Sequence, residues 1–179
     1  MIREEIDPFD RATHIMHSLR RGILLTTQAG GRVNFMTIAW GFLGVDWQMP
    51  IFVTLVRTNR FSRSLLDANP QFTINVPYGE FDRRILAVAG SKSGYELDKA
   101  AELGLRLVPG ERVNVPAVGE LPLTLECQVI YRKQQDPQAS PPESRERGHP
   151  QGVPGNVQGI NRDYHICYYG AIVAAYLLS

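Results

Sequence analysis

Short alternating or β-branched runs, separated by turn residues, recur along most of the chain and strongly constrain its fold. The runs "GILLTTQ" (22–28) and "RVNFMTIAW" (32–40) flank the tripeptide "AGG", which predicts a β-hairpin. Further strands are predicted at "IFVTLVR" (51–57), "QFTINVP" (71–77), "LRLVP" (105–109), "LPLTLECQVIYRK" (121–133) and "DYHICYYGAIVAAYLLS" (163–179). This order favours a mainly β, α+β fold: an antiparallel barrel or sheet with short helices at its ends. A doubly wound parallel sheet is the weaker alternative.

Four segments have the spacing of short helices. In the first, Asp7 and Pro8 are interpreted as the N-cap and the first helical residue, and Gly22 as the end. The others are "TNRFSRSLLDANP" (58–70), "FDRRILAVAG" (81–90) and "YELDKAAELG" (95–104), with the loop "GSKSG" (90–94) between the last two.

The length and composition fit a single domain over residues 1–179, since 179 residues can bury a sizeable core. Residues 134–162, rich in Pro, Gly, Gln and charge, are expected to form a long surface insertion. The net charge of +1 argues against nucleic acid or anionic membrane as partners, so any anion site has to be local. The chain starts without an apolar signal core, and its apolar final run is too short to cross a bilayer, so we expect a cytoplasmic protein.

Several catalytic motifs are missing from the sequence. It contains no GxGxxG after a strand, no GxxxxGK[ST] phosphate loop and no GxSxG nucleophile elbow. His14 and His17 are three residues apart, but no further ligand pattern accompanies them, so no metal site is expected. Cys127 and Cys167 lie in apolar runs without CxxC spacing, which favours small buried residues over a disulfide or reactive thiols.

The stretch "RTNRFS" is the first of three candidate contacts for an anion. Arg57 ends a predicted strand, and Arg60 and Ser62 lie in the first turn of the following helix. Unpaired N–H groups and the helix dipole favour negative charge at that position. In isolation, solvated surface arginines are the simpler interpretation.

The other two candidates are the loop "GSKSG" and the segment after it. Glycine and serine allow the N–H groups of Ser91 and Ser93 to converge, and Lys92 adds a positive charge. Lys99 is expected about a turn into the next helix. A flexible loop and an exposed helix lysine are the alternatives, and only the order of all three stretches along the chain is specific.

These stretches together resemble the flavin reductase-like family, whose domain is an FMN-binding split β-barrel, and in particular its flavoredoxin branch. The similar segments are "NFMTIAWG" (34–41), "VTLVRTNRFSRSLL" (53–66), "FTINVP" (72–77), "GSKSGYELDKAAELGL" (90–105), "LECQVIYR" (125–132) and "HICYYGAIVAAY" (165–176). The resemblance implies a homodimer with FMN, or alternatively FAD, bound near the subunit interface.

The family's flavin contacts carry over to definite positions of this sequence. They place Asn34, Met36, Thr37 and Ile38 beside the ring, Arg57, Arg60 and Ser62 at the ribityl phosphate, and Ser91, Lys92, Ser93, Gly94 and Lys99 as further phosphate or ribityl contacts. Because Asn34 and Thr37 are three apart, a regular strand turns them to opposite faces, so Thr37 is the firmer ring contact. His165 on the last strand is the best polar candidate near the reacting ring, with a hydrogen-bonded strand histidine as the equal alternative.

The activity that the resemblance implies is hydride transfer from NAD(P)H to flavin N5, with the protein supplying orientation and exclusion of water. Reduced flavin would then serve an acceptor, for example a monooxygenase partner. An FMN-binding electron carrier or a binding module without nicotinamide turnover is the second hypothesis. A flavin-free barrel used for protein contacts is the third. The chain departs from the family where Ala171 replaces a common glutamate and where the segment 134–162 is long.

Overall fold

The structure is a computed structural model that describes residues 2–152 and 162–179. Its strands are β1 (Arg3–Glu5), β2 (Ile23–Ala29), β3 (Arg32–Ile38), β4 (Gly41–Asp46), β5 (Met49–Arg57), β6 (Gln71–Val76), β7 (Leu107–Val108), β8 (Ala117–Val118), β9 (Leu123–Gln134) and β10 (His165–Leu178). Its helices are α1 (Ala12–Leu19), α2 (Phe61–Ala68), α3 (Arg84–Ser91), α4 (Lys99–Leu103) and α5 (Pro142–Gly148), with a 3-10 turn at Pro137–Ala139.

One antiparallel sheet carries the fold. Its strands run in the order β3-β2-β6-β9-β10-β5-β4, β1 adds to the end of β10, and β7 and β8 form a separate small ribbon. Within the described residues no pairing joins β3 to β4, the two ends of this strand order. The sheet is therefore a split barrel and not a completely closed one. The mainly β, antiparallel architecture predicted from the sequence is therefore confirmed.

The barrel interior is filled by alternate residues of the paired strands. Phe52, Phe72 and Tyr168 are fully buried and belong to one core cluster. Burying a side chain of such size contributes about 1.5–3 kcal/mol. Gly170 is needed at the centre of β10, because a Cβ there would lie 2.5 Å from the ring of Phe72. The helices cover the openings of the barrel, and α1 does so with the buried Ile15 and Leu19.

The predicted start of the first helix is wrong. The carboxylate of Asp7 accepts a hydrogen bond from the Phe9 amide at 2.8 Å, but it caps an isolated turn in which the Asp10 amide donates to the Asp7 carbonyl. The helix begins only at Ala12. An N-cap signal is local, and it does not distinguish a single turn from a continuing helix.

Strands β1, β4 and the two-residue β8 were absent from the sequence prediction. β1 has three exposed residues and no pattern of its own. β4 contains two glycines, and it turns into β5 through Trp47 and Gln48, which both adopt positive φ (46° and 61°). Two-residue hairpin turns with positive φ usually contain Asn-Gly or Asp-Gly, so the pair Trp-Gln did not predict a hairpin.

Three local expectations also need correction. The segment "GSKSG" is only partly a loop, because α3 continues through Ser91. Lys99 is the first residue of α4, with Asp98 as N-cap accepting from the amides of Ala100 and Ala101, rather than a turn into the helix. The expected surface insertion contains the 3-10 turn and α5, neither of which has a buried residue. Its residues 153–161 lie outside the described residues.

Candidate functional site

A cleft runs along the free edge of β3, between the start of α2 and the end of α3. Two adjoining cavities of about 70 and 140 Å³ form it, and Met36, Thr37 and Arg60 line both. The inner cavity is also lined by Asn34, Asn59, Phe61, Ser62, Ala89, Gly90, Lys92, Ser93, Gly94 and Lys99. The outer cavity is also lined by Ile38, Ala39, Trp40, Leu55, Arg57 and His165. Basic side chains reach both ends of the cleft, and apolar side chains such as Ile38 and Leu55 add to its outer end.

Asn34, the less firm of the two predicted ring contacts, and Thr37 both border this cleft. Asn34 Nδ2 donates to Ser62 Oγ of α2 at 2.9 Å, and Thr37 Oγ1 donates to the Leu86 carbonyl of α3 at 2.6 Å. β3 is the end strand of the sheet, so α2 and α3 meet it from its two faces and the cleft crosses its edge. The side chains of Asn34 and Thr37 still point to opposite faces of β3. Because β3 is at the edge of the sheet, both faces border the same cavity.

The start of α2 provides backbone donors at the inner end. Arg60 is the N-cap in extended conformation, and no side chain caps the helix. Ser62 in the first turn is fully buried and holds Asn34. Uncapped N–H groups at a helix start favour an anion, both as donors and through the dipole.

Lys99 is buried at the floor of the inner cavity. Its Nζ donates to the carbonyls of Phe35 and Ala89 at 2.7 and 3.1 Å. Burial, and then the positive charge of Arg60, lower the pKa of Lys99 from 10.5 to about 8. None of the residues that line the inner cavity in the described part of the chain is acidic. Arg60, Lys92 and Lys99 therefore line one small cavity that has no acidic residue among its described lining.

Gly94 closes the inner cavity over Asn34. A Cβ at Gly94 would lie 2.1 Å from Asn34 Oδ1 and 2.8 Å from the Phe61 ring, so a larger residue would displace them. The guanidinium of Arg32 donates to the Gly94 carbonyl at 3.1 Å and stacks over the Phe61 ring at 4.4 Å. The family resemblance placed Gly94 among the phosphate or ribityl contacts, and its missing side chain also shapes the cavity.

His165 lies at the outer end and is only 5% exposed. Trp40 and His149 have ring centroids 5.0 and 5.4 Å from its own. Burial, followed by neighbouring positive groups of which His149 acts most strongly, lowers the pKa of His165 to about 4. Its Nδ1 atom is buried and has no hydrogen-bond partner among the residues the structure describes. The ring is therefore neutral at neutral pH.

Of the predicted site residues, Ser91 alone lines neither cavity; its hydroxyl donates to the Ala87 carbonyl within α3. Arg57 lies at the outer end beside His165, where it shares the cavity with Arg60 but not with Ser62 of the inner end. The other predicted residues come together in the cleft.

The sequence prediction missed several residues that form this site. They are Trp40, Leu55, Asn59, Phe61 and His149. Trp40 had a detectable signal, an aromatic at the end of a polar-bearing strand. His149 had none, because its position beside His165 depends on how the inserted segment folds back.

The remaining reactive groups are not arranged as a second redox or metal centre in the described part of the chain. Cys127 is buried and Cys167 half-buried, both are free, and burial raises the pKa of each thiol. In residues 2–152 and 162–179 no group of three or more His, Cys, Asp or Glu residues is placed to hold a metal ion. None of the helices there combines the length and apolar character needed to cross a bilayer.

Comparison with known proteins identifies the family. The model of the flavin reductase like domain matches residues 16–178, so the chain belongs to this family. An uncharacterized protein of Pyrococcus abyssi is 31% identical over 115 residues, which are 63% of each chain. The chain spans less than two thirds of the length of the curated relatives that it matches.

Solved structures agree with this assignment. Flavoredoxin of Desulfovibrio vulgaris (Miyazaki F) superposes with a TM-score of 0.63 at 26% identity, over 88% of this chain and 69% of that one. An FMN-binding domain of a flavin reductase-like enzyme from Shewanella baltica OS155 also gives 0.63, at 15% identity, over 98% and 77%. The second likeness concerns the fold alone.

Proposed function

We propose that the cleft binds FMN and that the protein is an NAD(P)H:flavin oxidoreductase. The observation that carries the proposal is a small cavity lined by Arg60, Lys92 and Lys99 and, among the described residues, by no acidic side chain, with a second cavity adjoining it along the same strand edge. A flavin mononucleotide has matching chemistry, an anionic phosphate at one end and a planar ring system at the other.

The residues of the inner cavity fit a phosphate. Arg60 and the uncapped start of α2 would hold it, and Ser62, Lys92 and Ser93 line the same cavity. Charge-assisted hydrogen bonds of this kind are among the strongest that proteins form. FAD is the alternative ligand, and its adenosine would have to extend beyond the inner cavity.

The outer cavity fits the ring system. Met36, Ile38 and Leu55 offer apolar contact, and the free edge of β3 offers backbone groups to polar ring atoms. His165 is neutral and lines this cavity, so it would lie beside the flavin ring or the incoming nicotinamide. When bound, the flavin would supply the redox chemistry by accepting hydride at N5. The protein would orient both rings and exclude water.

A homodimer with the flavin near its interface is part of the proposal. The outer face of the sheet next to the cleft carries aromatic residues, with Phe42 and Tyr131 44% and 45% exposed. Tyr169 lies between them and contacts both rings edge-on. Exposed apolar patches of this kind often mark subunit contacts. A second copy packed here would cover Trp40 and with it the mouth of the outer cavity.

An FMN-binding electron carrier is the second candidate, and the similarity to a protein named flavoredoxin favours it. In that case the flavin stays bound, and electrons pass between it and partner proteins such as a monooxygenase. Both candidates would act in the cytoplasm, where nicotinamide cofactors are abundant.

Anaerobic mixing of the FMN-loaded protein with NADH, and separately with NADPH, tests the choice. If the protein is a reductase, NADH or NADPH will reduce the bound flavin, and the absorbance of the oxidised flavin will disappear. If the flavin stays oxidised with both, while dithionite reduces it, the carrier function replaces the reductase. Sedimentation analysis of the same sample tests the dimer, and a monomer at all concentrations would contradict it.

A further inference from the structure

A separate cavity of about 580 Å³ lies next to the cleft, with Thr37 between the two. Thr37 lines the cleft, and its hydroxyl donates to the carbonyl of Leu86, which lines the second cavity. Gly22 lines the second cavity too, and a Cβ there would lie 2.8 Å from Thr37 Cγ2. Its volume is in the range of small-molecule sites, about 300–1,000 Å³.

Positive and hydrogen-bonding side chains surround this cavity. His14 and Ser18 are one helical turn apart on α1, Arg21 follows just beyond its end, and Arg83 faces them from the start of α3. His14 is fixed in place by a 2.7 Å hydrogen bond between Nε2 and the Pro77 carbonyl, which requires the proton on Nε2.

The charges at the rim are not neutralised by the protein. Across residues 2–152 and 162–179, neither Arg21 nor Arg83 forms an ion pair, and no acidic side chain lines the cavity. The nearby Asp82 is bonded to Arg84 instead. Two like charges at one opening attract an anion.

The floor of the cavity is apolar. Phe81 and Leu86 are half-buried and pack on the smaller core cluster that contains Ile85. Their exposed sides offer a surface to an apolar or aromatic group. Charged rim and apolar floor together define the chemistry of the ligand, an anionic group attached to a flat or apolar body.

We propose that this cavity binds a small organic anion, with a phosphate or carboxylate between Arg21 and Arg83 and an apolar body on Phe81 and Leu86. Two sources share this chemistry, the phosphate-bearing adenosine half of a nicotinamide dinucleotide and a free aromatic acid. The inference goes beyond the proposed flavin function, because the cavity and its arginines do not depend on a flavin in the cleft.

Titration calorimetry with adenosine 2′,5′-bisphosphate, and in parallel with benzoate, tests the proposal on flavin-free and on flavin-loaded protein. Arg21→Gln combined with Arg83→Gln should weaken binding about tenfold or more, the scale of lost charged hydrogen bonds. Both side chains are exposed, so the variant is expected to fold. Arg20→Gln is the matched control, an exposed arginine next to Arg21 that does not line the cavity.

Saturable binding of either probe that the double variant loses and Arg20→Gln keeps supports the proposal. The bisphosphate alone would identify the dinucleotide as the source, and benzoate alone a free acid. Failure of both probes to bind, or equal affinity in the double variant and the wild type, would overturn it. Flavin content, read from absorbance, reports separately on the cleft, so the two proposals can fail independently.

Discussion

Asn34 Nδ2 donates to Ser62 Oγ at 2.9 Å, and this bond between two buried side chains ties the edge strand β3 to the start of α2. The bond sets the width of the inner cavity, because Arg60 precedes Ser62 on one wall and Asn34 forms the other. A phosphate held there would contact a helix start whose position depends on a strand residue. The proposed cofactor site is thus part of how the barrel and its helix are joined.

Replacing Arg60 with alanine tests the phosphate contact. We expect Arg60→Ala to weaken FMN binding by about 1–3 kcal/mol, the range for a lost hydrogen bond to a charged group. Arg63→Ala is the control, since Arg63 is bonded to Asp67 on the outside of the same helix and lines neither cavity. Fluorescence titration gives both dissociation constants, and equal values for Arg60→Ala and the wild type would refute the assigned phosphate site.

The pH dependence of binding tests the role of Lys99. Its pKa is lowered to about 8 in the free protein, and a phosphate beside Arg60 would favour the ammonium form and raise that pKa. Binding then takes up a proton, so affinity for FMN should fall as the pH rises above about 8. Riboflavin has the same ring without the phosphate, so its affinity should not show this fall above pH 8. Parallel curves for the two ligands between pH 7 and 10 would contradict the prediction.

Gly94→Ala tests the shape of the inner cavity. The new methyl group would overlap Asn34 and Phe61, so we expect a loss of about 1–3 kcal/mol in unfolding free energy and weaker flavin binding. Gly44→Ala adds the same group where no atom lies within 4 Å. Denaturant unfolding of both variants makes the comparison. Equal stability of Gly94→Ala and Gly44→Ala would contradict the prediction, because it would show that Asn34 and Phe61 move aside without a cost in stability.

His165 makes a prediction about acid stability. Its pKa is about 4 in the folded protein and 6.5 for an ordinary histidine, so the unfolded chain binds more protons between these values. The contribution of His165 to stability is complete above pH 6.5 and is lost as the pH falls towards 4, on the order of 2–3 kcal/mol in all. His165→Gln should flatten the stability curve in this window, whereas His17→Gln, at an exposed site on α1, should not. An unchanged slope in His165→Gln would mean that the buried ring titrates normally.

The antiparallel strands were predictable, because alternation and turn residues are local signals, whereas most of the residues around the cleft were placed by the resemblance to the flavin reductase-like family. Strand β4 was not predictable, since its glycines and the Trp47-Gln48 turn have no strand pattern of their own. Asn34 and Thr37 were both predicted as flavin contacts, but how side chains on opposite faces of one strand reach the same cleft was not predicted. Alternation along a strand is local, but the position of that strand at the sheet edge is set by long-range pairing. The approach of His149 to His165 depends in the same way on tertiary folding.

A titration of the purified protein with FMN tests whether the cleft is a flavin site. We predict saturable binding of one flavin per chain, with a dissociation constant on the order of micromolar or lower and weaker affinity for riboflavin. A colourless protein that neither quenches FMN fluorescence nor changes the flavin spectrum would contradict it. It would leave the barrel without its proposed cofactor.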